Sequence, residues 1–438
     1  MTNVSIRRGS VPIGEFSPPG DKSITHRAVL FGVLAEGESR IEAPNVGEDC
    51  ACSLEAARRL GATVVRSESA IHLGGTAGRL TAAREPIECG NSGTSMRLLA
   101  GLVARFAEPT TLIGDPSLSG RPMRRIAEPL RRMGVRIEGQ GEQVCAPLRI
   151  MGGPLTAIVH APEVASAQVS TCLLLAGLAA RGTTEVILPG PARDHTERML
   201  PAFGANLSVE SLSHGGRRVR IEGGQKLKAA TLRVPGDPSA AAFLWALAAA
   251  VPGSEVTAHR VSLNPTRAGF LRVLEAMGAE VTVSAQSEEA GEPVGDVTVR
   301  GPRQLRAFDV PAEWAPTLID EVPAWIVAAS AAHGLSRVRG AGELAVKESD
   351  RILALVDGLS ACGIEAHSHV DGLSVRGGVP SGGVVETRLD HRIAMAFAAL
   401  GARSDEPVSL DDAECIRSSD PAFLDVLAGL GARVERGA

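Results

Sequence analysis

The chain of 438 residues contains no tyrosine, and aromatic residues make up only 3% of it. Single-stranded nucleic acid is commonly held by stacking bases on aromatic rings along a basic groove. Neither ingredient is present: 45 Lys and Arg face 50 Asp and Glu, for a net charge of −5. No nucleic-acid surface is expected, and any anion site must be local. Long apolar runs are also missing. The longest, "AAAFLWALAAAV" at 240–251, has 12 residues, against the ~20 that a membrane helix needs. The opening "MTNVSIRRGSVPIG" lacks the apolar core of a secretory signal. Cysteine is sparse and odd in number, with seven at 50, 52, 89, 145, 172, 362 and 415. The "CAC" at 50–52 has one intervening residue, not the two of redox and zinc motifs. A cytoplasmic protein in a reducing compartment, without membrane contact or structural metal, is expected.

What is present first shows as repetition. Six segments end alike: "AARRLGATVV", "PLRRMGVRIE", "MLPAFGANLSVE", "VLEAMGAEVTV", "GLSACGIEAHS" and "VLAGLGARVE". In each, apolar residues lie one and four places before a glycine, and a strand-like alternation follows. A helix burying such a stripe and closing on a left-handed glycine accounts for the pattern. The glycines are Gly61, Gly134, Gly204, Gly278, Gly363 and Gly431. A chain of this length exceeds one ordinary core, so six units suggest two domains of three units each. The Pro-Gly-Asp pairs in "SPPGDKS" (17–23) and "LRVPGDPS" (232–239) mark the crossings. The expected division is 20–232 for one domain and 1–19 plus 233–438 for the other, with hinges near 17–23 and 232–238.

Several glycine- or proline-led turns carry polar residues. In "PPGDKSITHR" (18–27), Ser23 can cap a helix, Lys22 offers a point charge, and Arg27 lies one turn on. This is not a nucleotide P-loop, because Asp21 separates Gly20 from Lys22 and Glu stands at position 15. "ECGNSGTSMR" (88–97) has a small Asn91–Ser95 loop through which backbone can approach a ligand. "GRPM" places Arg121 at a helix start, "SAQ" sets Ser166 and Gln168 before an apolar run, and "RDHTE" supplies Arg193. Singly, each suits a capped helix N-terminus at least as well as a site. "LIDE" puts Asp320 and Glu321 in an apolar segment, where a carboxylate needs a partner or a purpose. "VKESDR" gathers Lys347, Glu348 and Arg351 within one turn, as an ion-pair ladder on a helix surface would. "LDHRIAM" sets Asp390, His391 and Arg392 before an alanine-rich run.

Taken in order, these eight motifs resemble those of the 3-phosphoshikimate 1-carboxyvinyltransferases, within the enolpyruvyl transferase superfamily, from about residue 5 to 435. The resemblance implies an α/β fold: a two-domain inside-out α/β barrel of six βαβαββ repeats, three per domain, closing over the substrates. It implies transfer of the enolpyruvyl group of phosphoenolpyruvate to the 5-hydroxyl of shikimate 3-phosphate, with release of orthophosphate, in aromatic amino acid biosynthesis. No cofactor or metal is implied, and the enzyme is expected to be a cytoplasmic monomer. Shikimate 3-phosphate would be held by Lys22, Ser23, Arg27, Ser166, Ala167, Gln168, Arg193, Asp320 and Lys347. Phosphoenolpyruvate would be held by Lys22, Gly93, Arg121, Gln168, Arg351 and Arg392. Asp320, Glu348 and Lys22 would carry the proton transfers, with His391, Asn91 and Thr94 in support.

This chain departs from the family pattern at three places. Ser418 stands where some members have a lysine, and Ala167 stands where some have a second serine. Arg193 and Leu98 match the branch associated with glyphosate tolerance, yet that branch's archetype has alanine where Gly93 stands. Three rival readings stand beside this one. UDP-N-acetylglucosamine enolpyruvyl transferase shares the repeats but carries Asn after the first lysine and usually a Cys before the "RP" arginine. Here those places hold Ser23 and the Cys-free "GDPSLSGRPM". RNA 3′-phosphate cyclase, built on related units, lacks support for want of a basic surface. A catalytically inactive sensor of phosphorylated metabolites would need the anion residues but not Asp320, Lys347 and Glu348.

Overall fold

Each of the six signature glycines ends a helical segment in a left-handed conformation. In a computed structural model that describes residues 3–67 and 69–437, their φ angles run from 74° to 108°. The preceding helices include Glu48–Arg59, Arg124–Arg132, Gly269–Met277, Arg351–Ala361 and Phe423–Gly429. Before Gly204 the helix His195–Met199 tightens into a 3₁₀ turn, Leu200–Phe203. Pro201 lacks the N–H that would continue the α ladder. The strands after the glycines are all edge strands of four-stranded sheets, for example Thr63–Arg66, Arg136–Gln140 and Arg433–Arg436.

Among the described residues there are six four-stranded sheets and one two-stranded pair, Leu155–Thr156 with Ala180–Arg181. One sheet illustrates the pairing. Ile87–Glu88 runs parallel to Thr110–Ile113, which pairs antiparallel with Cys145–Met151 and that in turn with Arg136–Gln140. In another, Val4–Arg7 lies between Val408–Leu410 and Arg433–Arg436, antiparallel to both.

The chain divides into two units. The first comprises Gly20–Val234 with the turn Glu289–Glu292, and the second Met1–Pro19, Pro235–Glu288 and Pro293–Ala438. Each contains three helices too apolar to face water. In the second unit every residue of Pro238–Ala250, Val322–Ala329 and His391–Gly401 is buried. In the first unit the counterparts are Lys22–Leu34, Gly93–Val103 and Ala167–Gly177, exposed only near their N-terminal ends. A helix apolar on every side belongs inside a core. Edge-to-face ring pairs lock these cores, Phe31 with Phe203 at 5.7 Å in the first unit and Phe243 with Phe423 at 5.9 Å in the second.

Small residues let the core helices come close. A methyl group on Gly101 would lie 2.0 Å from the Cys172 carbonyl oxygen of the neighbouring core helix. Backbone cannot yield as a side-chain tip can, so the helices must part to admit a side chain. Gly101→Ala is expected to destabilise the protein by roughly 1–3 kcal/mol, the usual cost of overpacking. Urea titration measures it, and an unmoved midpoint would refute the close approach.

Candidate active site

In the first unit, the exposed ends of the core helices carry the motif residues. Asp21 caps Lys22–Leu34, its carboxylate accepting from the Ile24 amide at 2.9 Å. Ser23 is therefore not the cap. Its hydroxyl instead accepts from Arg193 Nη1 at 3.2 Å. Lys22 Nζ reaches Asp49 Oδ2 at 2.8 Å. Arg27, 2% exposed, lies beneath them. It donates to Thr196 Oγ1 at 2.8 Å, Thr171 Oγ1 at 2.9 Å and the Ser23 carbonyl at 2.8 Å. Burial pushes the Arg27 pKa down to about 10, against the pull of Glu197. Arg27 thus ties the start of its own helix to residues of two other helical segments.

A second group forms around the Asn91 loop. Ser92 caps Gly93–Val103, and Asn91 joins Asp115 and Arg121: it donates to Asp115 Oδ2 at 2.7 Å and accepts a short bond from Arg121 Nη2. Arg121 also meets Ser117 Oγ at 3.2 Å. Gly93 lies beside that guanidinium, and a Cβ there would come 3.4 Å from Arg121 Nη1 and 2.7 Å from Arg97 Nη1. Ser166 caps Ala167–Gly177 through the Val169 amide at 3.4 Å. Gln168 is clamped at both ends of its amide, accepting from Arg97 at 2.8 Å and donating to Thr94 Oγ1 at 2.9 Å. Ser23, Arg27 and Arg193 are thus linked in one cluster, next to Lys22 with its Asp49 partner, and Asn91 and Arg121 in another beside Gly93. The bonds from Arg97 and Thr94 bring Gln168 to the same helix start.

In the second unit the acid and base residues surround one arginine. Arg351 opens Arg351–Ala361 behind an Asp350 cap, so Lys347 and Glu348 precede the helix and do not form a ladder on its surface. Arg351 is 1% exposed. It donates to Asp390 at 2.8 and 3.2 Å and to Glu348 Oε2 at 2.6 Å, and its Nη1 lies 3.6 Å from Asp320 Oδ1. Burial opposes the charge, but Asp390 and Glu348 hold the Arg351 pKa above its ordinary value. Lys347 Nζ lies 3.6 Å from Asp320 and 3.7 Å from Glu343. Asp390 caps His391–Gly401 at the Arg392 amide, and Arg392 Nη1 donates to the Asp320 carbonyl at 2.7 Å. Asp320 sits in a 3₁₀ turn, Ile319–Glu321, leading into Val322–Ala329. Ser418 stands in the turn Glu414–Ser418, which has Arg417 but no lysine.

Sequence reasoning missed the residues that hold these groups: Asp49, Arg97, Thr171, Thr196 and Asp390 as a bidentate partner. They lie 27 to 169 residues from the groups they bind, and no local spacing marks them. One group of metal-ligand side chains in the first unit, Asp194, His195 and Glu292, already has a cation. Arg198 Nε lies 2.9 Å from Asp194 and 3.9 Å from Glu292, while His195 Nδ1 meets Glu292 Oε1 at 2.6 Å. All seven cysteines are free.

Comparison with known proteins bears on what this geometry is for. A sequence model of EPSP synthase (3-phosphoshikimate 1-carboxyvinyltransferase) matches residues 8–427. The chain belongs to the EPSP synthase family. It is 46% identical over 426 residues to the 3-phosphoshikimate 1-carboxyvinyltransferase of Methylococcus capsulatus, covering 96% of each chain. Identity to that of Halorhodospira halophila is 45% over 438 residues, covering 99% of this chain and 97% of the relative. A solved EPSP synthase from Acinetobacter baumannii superposes with a TM-score of 0.88 at 39% identity, over the full length of both chains. The mixed α/β fold is therefore that of an EPSP synthase. Among the described residues, no helix is long and apolar enough to cross a membrane.

One consequence concerns His26, beside Lys22 and Arg27 in the first unit. It is fully buried and bonded to Ser53 Oγ at 2.8 Å. Burial, then the Lys22 and Arg27 charges, push its pKa from 6.5 down to about 3. Between those values the unfolded chain takes up a proton that folded His26 refuses. Its contribution to stability is therefore lost as pH falls through that window, by up to about 1.4 kcal/mol per pH unit. His26→Asn is expected to flatten the stability-versus-pH slope between pH 6 and 4 by about one proton. An unchanged slope would mean that folded His26 does accept the proton.

Proposed function

We propose that this protein transfers the enolpyruvyl group of phosphoenolpyruvate to the 5-hydroxyl of shikimate 3-phosphate, giving 5-enolpyruvylshikimate 3-phosphate and orthophosphate. The observation that carries the reading is the pairing of Asp320 with Lys347 and Arg351 at 3.6 Å in a chain of this family. A binding protein needs cations for its anions but has no use for a carboxylate held between them.

Shikimate 3-phosphate is assigned to Lys22, Ser23, Arg27, Ser166, Ala167, Gln168 and Arg193 in the first unit, and to Asp320 and Lys347 in the second. Ala167 can contribute only backbone. Arg27 supports this group from below, since its guanidinium is engaged by Thr171, Thr196 and the Ser23 carbonyl. Phosphoenolpyruvate is assigned to Lys22, the Gly93 backbone, Arg121, Gln168, Arg351 and Arg392. Guanidinium forks suit a ligand bearing both carboxylate and phosphate, because each can bind a flat anion at two points. Asn91 and Thr94 keep Arg121 and Gln168 in place, and His391 supports the start of its helix.

The chemistry is addition followed by elimination. A proton goes to the methylene carbon of phosphoenolpyruvate from Glu348, with Lys22 sharing the task, while the 5-hydroxyl attacks C2 and gives its proton to Asp320. The tetrahedral adduct then returns a methyl proton to Glu348, and the C2–O bond to phosphate breaks as the C2=C3 bond re-forms, giving the enol ether and orthophosphate. Fixed cations around the shifting charge stabilise it without reorganisation. The protein is proposed to act as a cytoplasmic monomer.

Orthophosphate release tests the reaction: it is expected from phosphoenolpyruvate with shikimate 3-phosphate and not with UDP-N-acetylglucosamine. Silence in both would favour a sensor. Asp320→Ala should cost on the order of 10²–10⁴ in kcat while ligand affinity persists. Arg121→Lys should raise KM for phosphoenolpyruvate more than for shikimate 3-phosphate, since a point charge cannot replace the fork. Equal effects on both would count against the assignment of Arg121.

A further inference from the structure

The proposed mechanism uses only one of the two adjacent carboxylates in "LIDE". The other, Glu321, is 2% exposed, and a carboxylate so placed is costly unless it is paired and hydrogen-bonded. Ser239 donates its hydroxyl to Glu321 Oε1 in a short bond, and Arg267 Nη2 lies 3.7 Å from the same oxygen. Arg267 is itself 3% exposed. It donates to Asp237 Oδ1 at 3.0 Å and to Ser239 Oγ at 2.7 Å. Asp237 in turn caps Pro238–Ala250 through the Ser239 amide at 2.9 Å. These four residues form one buried knot within the second unit, joining the starts of two core helices.

The knot bears on Asp320 through the backbone. Asp320 and Glu321 are consecutive in the turn Ile319–Glu321. The Asp320 carbonyl is held by Arg392 at 2.7 Å, and the Glu321 amide donates to the Leu318 carbonyl at 2.9 Å. With the Glu321 side chain anchored as well, the turn cannot rotate, and the Asp320 carboxylate stays beside Lys347 and Arg351.

We propose that Glu321 and Arg267 are positioning residues for Asp320. The inference rests on the role assigned to Asp320 above. Capping alone does not account for the knot: other core helices, such as Lys22–Leu34 and Gly93–Val103, start on one capping side chain, whereas here a second acid and an arginine are added. Well-packed apolar residues would often serve stability as well as a buried ion pair. What they could not do is fix a neighbouring carboxylate against rotation, and a misplacement of about 1 Å in a reacting group can cost on the order of 10² in rate.

The test uses the full chain with both substrates, measuring kcat, both KM values and the thermal midpoint for Glu321→Gln, Arg267→Lys, their double variant and Asp320→Asn. Glu321→Gln is expected to lower kcat about tenfold or more with each KM within about twofold, the signature of a defect in the transition state rather than in binding. The double variant should lose little more than the worse single variant, because the two act as one unit. If Asp320→Asn loses activity and Glu321→Gln keeps wild-type kcat, the positioning role is overturned, whatever the thermal midpoint does. If Asp320→Asn keeps wild-type kcat, the assignment of Asp320 itself falls. Should Glu321→Gln fail to fold, the kcat and KM values of Arg267→Lys decide by the same criterion.

Discussion

Six helices buried around their circumference can meet a ligand only through their ends, and that restriction orders the rest of the protein. Lys22–Leu34, Gly93–Val103 and Ala167–Gly177 in one unit, and Pro238–Ala250, Val322–Ala329 and His391–Gly401 in the other, are built from small and apolar residues. Their sides are closed by neighbours, as the contact of Gly101 with the Cys172 carbonyl illustrates. Each N-terminus leaves amides to be satisfied and a partial positive charge. Five of the eight polar motifs sit at or just before those ends, because nowhere else on these helices can hold them, while Arg121, Arg193 and the group Lys347, Glu348 and Arg351 lie at or just before the starts of other helices.

Cations gathered at such ends repel one another and the helix termini, so each is held by something negative or polar. Lys22 has Asp49, Arg121 has Asn91, and Arg351 has Asp390 and Glu348. The carboxylates keep the positive groups from collapsing toward solvent or spreading apart, and the chain as a whole stays slightly acidic, with a net charge of −5. A local anion site is thereby compatible with a surface that does not attract polyanions generally.

The α/β class and the family were legible because the residues that carry them are contiguous. A cap, two or three polar residues and an apolar run fit in one short window, and the left-handed glycines recur in another. Legibility failed where a partner came from far along the chain. Arg97 and Gln168 are 71 residues apart, and Arg27 and Thr196 are 169 apart. It also failed between neighbours of similar chemistry. Asp21 and Ser23 can both cap, and the backbone chose Asp21, freeing Ser23 for Arg193. Lys347, Glu348 and Arg351 have ladder spacing, but the Asp350 cap starts the helix only at Arg351. The grouping of Glu289–Glu292 with the first unit turns on Glu292, buried against His195, a contact that no local pattern announces.

The strand Val4–Arg7, held between Val408–Leu410 and Arg433–Arg436, has a consequence for synthesis. Residues 20–234 emerge from the ribosome in one continuous stretch, so nearly all of the first unit is available to fold while the rest is still being translated. That strand must wait, its hydrogen-bonding edges bare, for partners such as Leu410 and Arg436, which are made roughly 400 residues later. At about 5–20 residues per second, that wait lasts roughly 20 to 80 seconds. Closing that sheet is the longest-range step in the chain, and conditions that slow elongation prolong the exposure of those edges.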